Sequence, residues 1–109
     1  FPWLILVPRR AGLVEVADLD PDLHETLWRE VLAAGDALRA CVPCDKLNLG
    51  ALGNIVRQLH LHVIARRKGD AAWPGPTWGH GQAEPWQAAK REALLAALRT
   101  LLEAPGTRR

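Results

Sequence analysis

Between Gln58 and His62, polar and apolar side chains alternate without a break, and the apolar run continues through Val63, Ile64 and Ala65. A period of two is the mark of a β-strand with one face against a core and one face open. Gln58, His60 and His62 therefore share one face, and Leu59, Leu61 and Val63 the other. Such a strand demands an apolar cover on one side.

The cover is present upstream. Asp20-Pro21-Asp22 predicts a helix start, with Asp20 as N-cap and Pro21 in the first helical position. Leu23, Leu27, Val31, Ala34 and Leu38 then recur at three- and four-residue steps, an apolar stripe that runs to about Ala40, with Pro43 beyond it. Pro2 to Val7 predicts a strand, stopped by Pro8 and the Arg9-Arg10 pair. Lys46 to Leu49 predicts another. The glycine-bearing segment Gly50 to Asn54 joins it to the strand Gln58 to Ala65, and so short a connection makes those two antiparallel. A last helix is predicted over Glu84 to Glu103. The order strand, helix, strand, strand, helix lacks the regular alternation of a doubly wound parallel sheet. It predicts an α+β fold: a mostly antiparallel sheet, a long helix packed on one face, and a C-terminal helix. The body is expected to span residues 1–79, with a linker and helix over 80–109.

Composition narrows the function. The chain of 109 residues is one small domain, and no apolar run approaches the roughly 18 residues needed to span a bilayer. Nothing at the start resembles a signal peptide. There is no methionine, so Phe1 is expected not to be the native start. A net charge of +2, scattered along the chain, argues against a dedicated nucleic-acid module. A local basic cluster stands at Arg66-Arg67-Lys68; Arg66 and Arg67 are expected to be solvated at a strand end, with attraction of an anionic substrate as the rival role. Cys41 and Cys44 form a CxxC that closes a helix rather than opening one. They are expected to be incidental thiols, suited to a reducing cytoplasm.

The chemistry rests on the open face of the histidine strand. Two residues of rise put His60 and His62 about 6.6 Å apart, a separation from which two imidazoles can grip one tetrahedral phosphate. Neutral imidazole is a nucleophile near pH 7 and can form a phosphohistidine. Spacing alone leaves three readings open: a surface pair, a zinc site completed by Cys41, Cys44 or His80, and phosphoryl chemistry. His24 and His80 are expected to be exposed, and Trp73, Trp78 and Trp86 to pack the tail onto the body.

The stretch Gly53-Asn54-Ile55-Val56-Arg57-Gln58-Leu59-His60-Leu61-His62-Val63-Ile64 resembles the signature of the histidine-triad (HIT) superfamily, His-φ-His-φ-His-φ-φ with φ apolar. Leu4 to Arg10 and Trp73-Pro74-Gly75 are similar to flanking segments of its Hint-like members. The resemblance covers about Phe1 to Gly79. It implies a nucleotide hydrolase or transferase that cleaves at the α-phosphate of a nucleotide derivative, a purine mononucleotide derivative by likeness. His60 matches the nucleophile, and His62 the histidine that contacts phosphate. Gly53, Asn54, Ile55 and Val56 match the loop whose backbone approaches the phosphate, and Asn48 an amide reaching the same group. No cofactor or metal ion is implied. Gln58 stands where the family has its first histidine, and Trp3 where Hint-like members have another. These departures keep a second reading alive, a catalytically impaired nucleotide-binding module. The likeness also implies a homodimer through the helix at Asp20 to Ala40 and the strand at Asp45 to Leu49. It places further base- and ribose-binding strands before Pro2.

Overall fold

A computed structural model describes residues 1–81 and 84–103. The elements are β1 (Trp3–Leu6), 3-10 turns at Val16–Asp18 and Pro21–Leu23, α1 (His24–Cys41), β2 (Lys46–Gly50), β3 (Leu61–Arg66) and α2 (Ala88–Glu103). The sheet order is β1-β3-β2, antiparallel throughout. This is the expected α+β class, with the histidine strand at the centre. Among the described residues, no helix is long and apolar enough to cross a membrane. Residues 82–83 and 104–109 of the expected tail lie outside the described residues.

The core forms where the two predicted apolar surfaces meet. Leu27, Val31, Ala34 and Leu38 of α1 pack against Leu59, Leu61, Val63 and Ala65, with Leu98 of α2 closing the cluster. Burying a leucine or valine contributes roughly 1.5–3 kcal/mol, so this interlock is the main support of the sheet. Gly35 sets how near α1 comes to β2: a Cβ there would lie 2.8 Å from Leu47 Cδ1.

Four local expectations are corrected. The helix starts with a 3-10 turn whose closing bond is from the Leu23 N–H to the Asp20 carbonyl, and the Asp20 side chain makes no cap bond. His24 is half-buried, its Nε2 2.8 Å from the Leu19 carbonyl, rather than exposed. The strand predicted from Gln58 begins at Leu61. The reason is a lack of partners: β1 ends at Leu6 opposite Leu61, and β2 at Gly50 opposite His62. A strand residue needs a ladder for its backbone groups, and the segment before Leu61 finds another anchor, the Leu59 N–H bonding the Leu13 carbonyl at 2.9 Å. At the C-terminus, α2 starts at Ala88 rather than Glu84, in keeping with Pro85, which disfavours helical backbone in the residue before it.

Candidate active site

Register decides which side chains meet. Directly opposed residues of an antiparallel pair point to the same side. Ile5 and Gly50 flank His62, while Trp3 and Asn48 flank Ile64. The face away from α1 therefore carries Trp3, Ile5, Asn48, Gly50, His62, Ile64 and Arg66. His60 joins it from the loop: its ring centroid lies 5.0 Å from that of His62, with the planes at 72°.

The hydrogen bonds of the two imidazoles fix where their protons sit. His60 Nδ1 lies 2.7 Å from the Gln58 carbonyl oxygen. A carbonyl only accepts, so Nδ1 carries the proton and Nε2 of the neutral ring keeps a lone pair. His62 is the opposite case. Its Nδ1 accepts from the Trp3 indole N–H at 2.9 Å. An indole N–H only donates, so neutral His62 carries its proton on Nε2. Burial, with the neighbouring His60 adding to it, pushes the His62 pKa below the usual histidine value. With both rings neutral, the site thus pairs a free imidazole lone pair with an imidazole N–H donor.

The remaining predicted residues are placed as follows. Gln58 contributes its backbone carbonyl to His60, while its exposed side chain turns to the Arg10 carbonyl at 3.4 Å. Gly53, Asn54, Ile55 and Val56 lie in the loop between β2 and β3, and Ile55 is 95% exposed. Gly53 has φ of +70°, a left-handed conformation that explains the glycine. Asn48 is on β2, its Oδ1 accepting from Arg66 Nη1 at 2.9 Å.

Arg66 overturns the expectation of a solvated strand end. It is 1% exposed and forms a two-pronged ion pair with Asp70, Nε to Oδ2 at 2.8 Å and Nη2 to Oδ1 at 2.9 Å. Its guanidinium carbon lies 5.5 Å from the Phe1 ring centroid and 5.7 Å from that of Trp73. Asp70 also accepts from the backbone N–H groups of Arg67, Ala72 and Trp73. One buried carboxylate thereby ties the tryptophan loop to β3 and, through Arg66, to Asn48. Arg67 is exposed as expected, and Lys68 beside it is exposed as well.

Trp78 is likewise more than tail packing. Its ring stands edge-on to His62 at 5.5 Å and to Trp3 at 6.0 Å. Gly50 makes room for it, since a Cβ at that position would meet Trp78 Cη2 at 3.1 Å. Trp86, by contrast, is 47% exposed. His80 is exposed against the edge of Phe1. Among the described residues, no three His, Cys, Asp or Glu side chains gather as a metal site, so the zinc reading from His60 and His62 with Cys41, Cys44 or His80 finds no assembled ligands. Trp78 and Asp70 escaped the sequence reading as site-shaping residues, and Trp3 entered it only as a departure from the family's pattern. The period-two pattern does extend to Arg66, four residues beyond His62, and that signal could have turned its side chain toward the same face.

The HIT domain family model matches residues 1–69. A histidine triad (HIT) protein from Sinorhizobium meliloti 1021 shares 50% identity at a TM-score of 0.88, over 93% of this chain and 75% of that one. A histidine triad protein from Bradyrhizobium japonicum shares 50% at 0.88, over 90% and 73%. One from Marinobacter aquaeolei VT8 shares 42% at 0.88, over 94% and 74%. No curated protein matches the chain.

Proposed function

The chain belongs to the HIT domain family, and from that premise we propose that it is a nucleotide hydrolase or transferase acting at the α-phosphate of a nucleotide derivative, a purine mononucleotide derivative by likeness, through a covalent bond to His60. The observation that carries this is the pair of opposed tautomers. His60 Nε2 offers the lone pair that attacks phosphorus, and the leaving group departs with the electrons of its bond to phosphorus. Positive charge then develops on the His60 ring, where the Gln58 carbonyl already accepts the Nδ1 proton. His62 Nε2–H donates to a phosphoryl oxygen, a preorganised donor that needs no rearrangement as charge builds. Water attacks the phosphoramidate, releases a proton to solvent, and the N–P electrons return to His60. The nucleophile and donors in this scheme are protein groups, and it calls on no cofactor.

Asn48 and the loop Gly53 to Val56 supply further phosphate donors in this reading. With its Oδ1 held by Arg66, the Asn48 amide has its Nδ2 hydrogens to offer. The HIT-like body is assigned to residues 1–79, and residues 80–109 to a C-terminal linker and helix. Two free thiols, Cys41 and Cys44, favour a cytoplasmic setting. The direct experiment is intact mass after mixing with an activated adenylate. An adduct of one nucleotidyl group mapped to His60 supports the proposal. Binding of AMP by calorimetry without adduct or turnover would instead favour the impaired binding module, for which the observation is Trp3 beside His62.

A homodimer completes the proposal. β2 is an edge strand, and Leu49 on it is 45% exposed. Trp28 and Leu32 on α1 are 49% and 48% exposed. They lie seven and three residues before Gly35, the point at which α1 meets β2, and so on the same side of the helix. Three large apolar groups beside an open strand edge suit a self-complementary two-fold contact. Sedimentation equilibrium at micromolar concentration is expected to give twice the chain mass of 12.0 kDa. Leu49→Lys is expected to return it toward the monomer; a wild-type chain that sediments as a monomer throughout defeats the idea.

A further inference from the structure

We propose that Trp3 is a positioning residue for His62: its indole N–H, given to Nδ1, locks that imidazole as a neutral donor at Nε2, so that His60 alone takes up charge during the reaction. The inference rests on the functional reading above and deepens it.

The geometry leaves His62 few alternatives. Its ring is enclosed by Trp3, Trp78 and His60 at centroid distances of 5.5, 5.5 and 5.0 Å, all edge-to-face. Its relative exposure is 8%. With the ring plane held, Nδ1 faces the Trp3 N–H at 2.9 Å. Either other state, the second neutral tautomer or the imidazolium, places a hydrogen on Nδ1 and sets N–H against N–H. Each would break the bond and bury an unpaired donor, a penalty of the kind that makes buried polar groups costly to strand. His60 has the reverse arrangement. Its Nδ1–H stays bonded to the Gln58 carbonyl in both the neutral and the charged ring. It can therefore become positive when the N–P bond forms.

The division of labour matters because the rings are so close. Were His62 able to charge, its positive ring would oppose the positive charge that develops on His60 as the N–P bond forms. Trp3 removes the competitor. His60 is the titratable group in ring contact with His62. Arg66, on the same face of β3, is engaged by Asp70. Trp3 is thus a substitute for a base or acid partner, a group that orients without ever exchanging a proton.

The test is long-range proton–nitrogen NMR of the imidazoles in the full chain, wild type beside Trp3→Phe, which keeps a ring and loses the donor. Wild type is expected to show His62 only as the Nε2–H tautomer at neutral pH, with a through-hydrogen-bond coupling to the Trp3 indole. Trp3→Phe is expected to show mixed tautomers and a His62 titration moved to higher pH. Its kcat/KM is expected to fall about fivefold, the loss of one hydrogen bond, with the acid limb of the pH profile shifted the same way. A wild-type His62 bearing its proton on Nδ1 would overturn the inference, and so would a Trp3→Phe protein whose His62 keeps the pure tautomer and the same titration. The wild-type measurement decides the matter even if the variant does not fold. Because tautomers are read without turnover, an inactive wild type forming no adduct at His60 would fell the functional reading and leave the Trp3 result separately legible.

Discussion

Replacing His60 with alanine is expected to lower turnover on the order of 10⁴-fold or more, the scale on which deletion of a covalent nucleophile acts. The residue lies in the loop ahead of β3, partly exposed, and its side-chain bond is to a local carbonyl. The core residue beside it, Leu59, is held separately by the Leu13 carbonyl. Stability should therefore change by no more than about 1 kcal/mol, as for other substitutions outside the core. His62→Ala is expected to cost about 10²- to 10³-fold, the usual price of one oxyanion donor. The two variants differ in kind as well as in size: His62→Ala should still form the adduct at His60, slowly, while His60→Ala should form none. A His60→Ala protein within a few-fold of wild type would remove this residue from the chemistry.

Elements carried by a strong period were legible in the sequence. The α1 stripe from Leu27 to Leu38 is buried as drawn, and Leu59, Leu61 and Val63 meet it. That much follows from the two periods, 3.6 and 2, and from the need of each apolar face for a cover. What escaped depends on residues distant in sequence. The start of β3 is set by where β1 and β2 end, which no local pattern states. The tautomers of His60 and His62 come from a carbonyl two residues away in one case and from Trp3, 59 residues away, in the other. Composition presented Arg66 as one of three consecutive charges. Only the fold shows that the first of these turns inward to Asp70 while the next two stay in water.

That inward charge supplies the largest expected effect on stability. Arg66 and Asp70 side chains are 2% and 8% exposed, and their bond is two-pronged. Asp70→Ala strands the guanidinium without its counter-ion and takes an acceptor from three backbone N–H groups. Breaking a buried pair costs about 3–5 kcal/mol. The exposed residues Arg67 to Gly69 beside the pair indicate a site just under the surface, so the lower end, about 3 kcal/mol, is expected. For a domain of this size that lowers Tm by more than about 10 °C. Glu25→Ala is the control. It breaks the Arg29–Glu25 pair, 54% and 76% exposed, and should cost under about 1 kcal/mol. The pH dependence carries the same signature. The Arg66 hydrogen bond, against the cost of burial and helped by backbone donors, holds the Asp70 carboxyl well below the usual carboxylate range. A group with a depressed folded pKa stabilises fully above its unfolded value of about 3.9 and loses that contribution as pH falls further. Wild type should therefore lose stability below about pH 4 more steeply than Asp70→Ala, and the two denaturation curves should converge in acid. Parallel curves down to pH 2, or a Tm within 2 °C of wild type at pH 7, would show that the ion pair does not hold the tryptophan loop to β3.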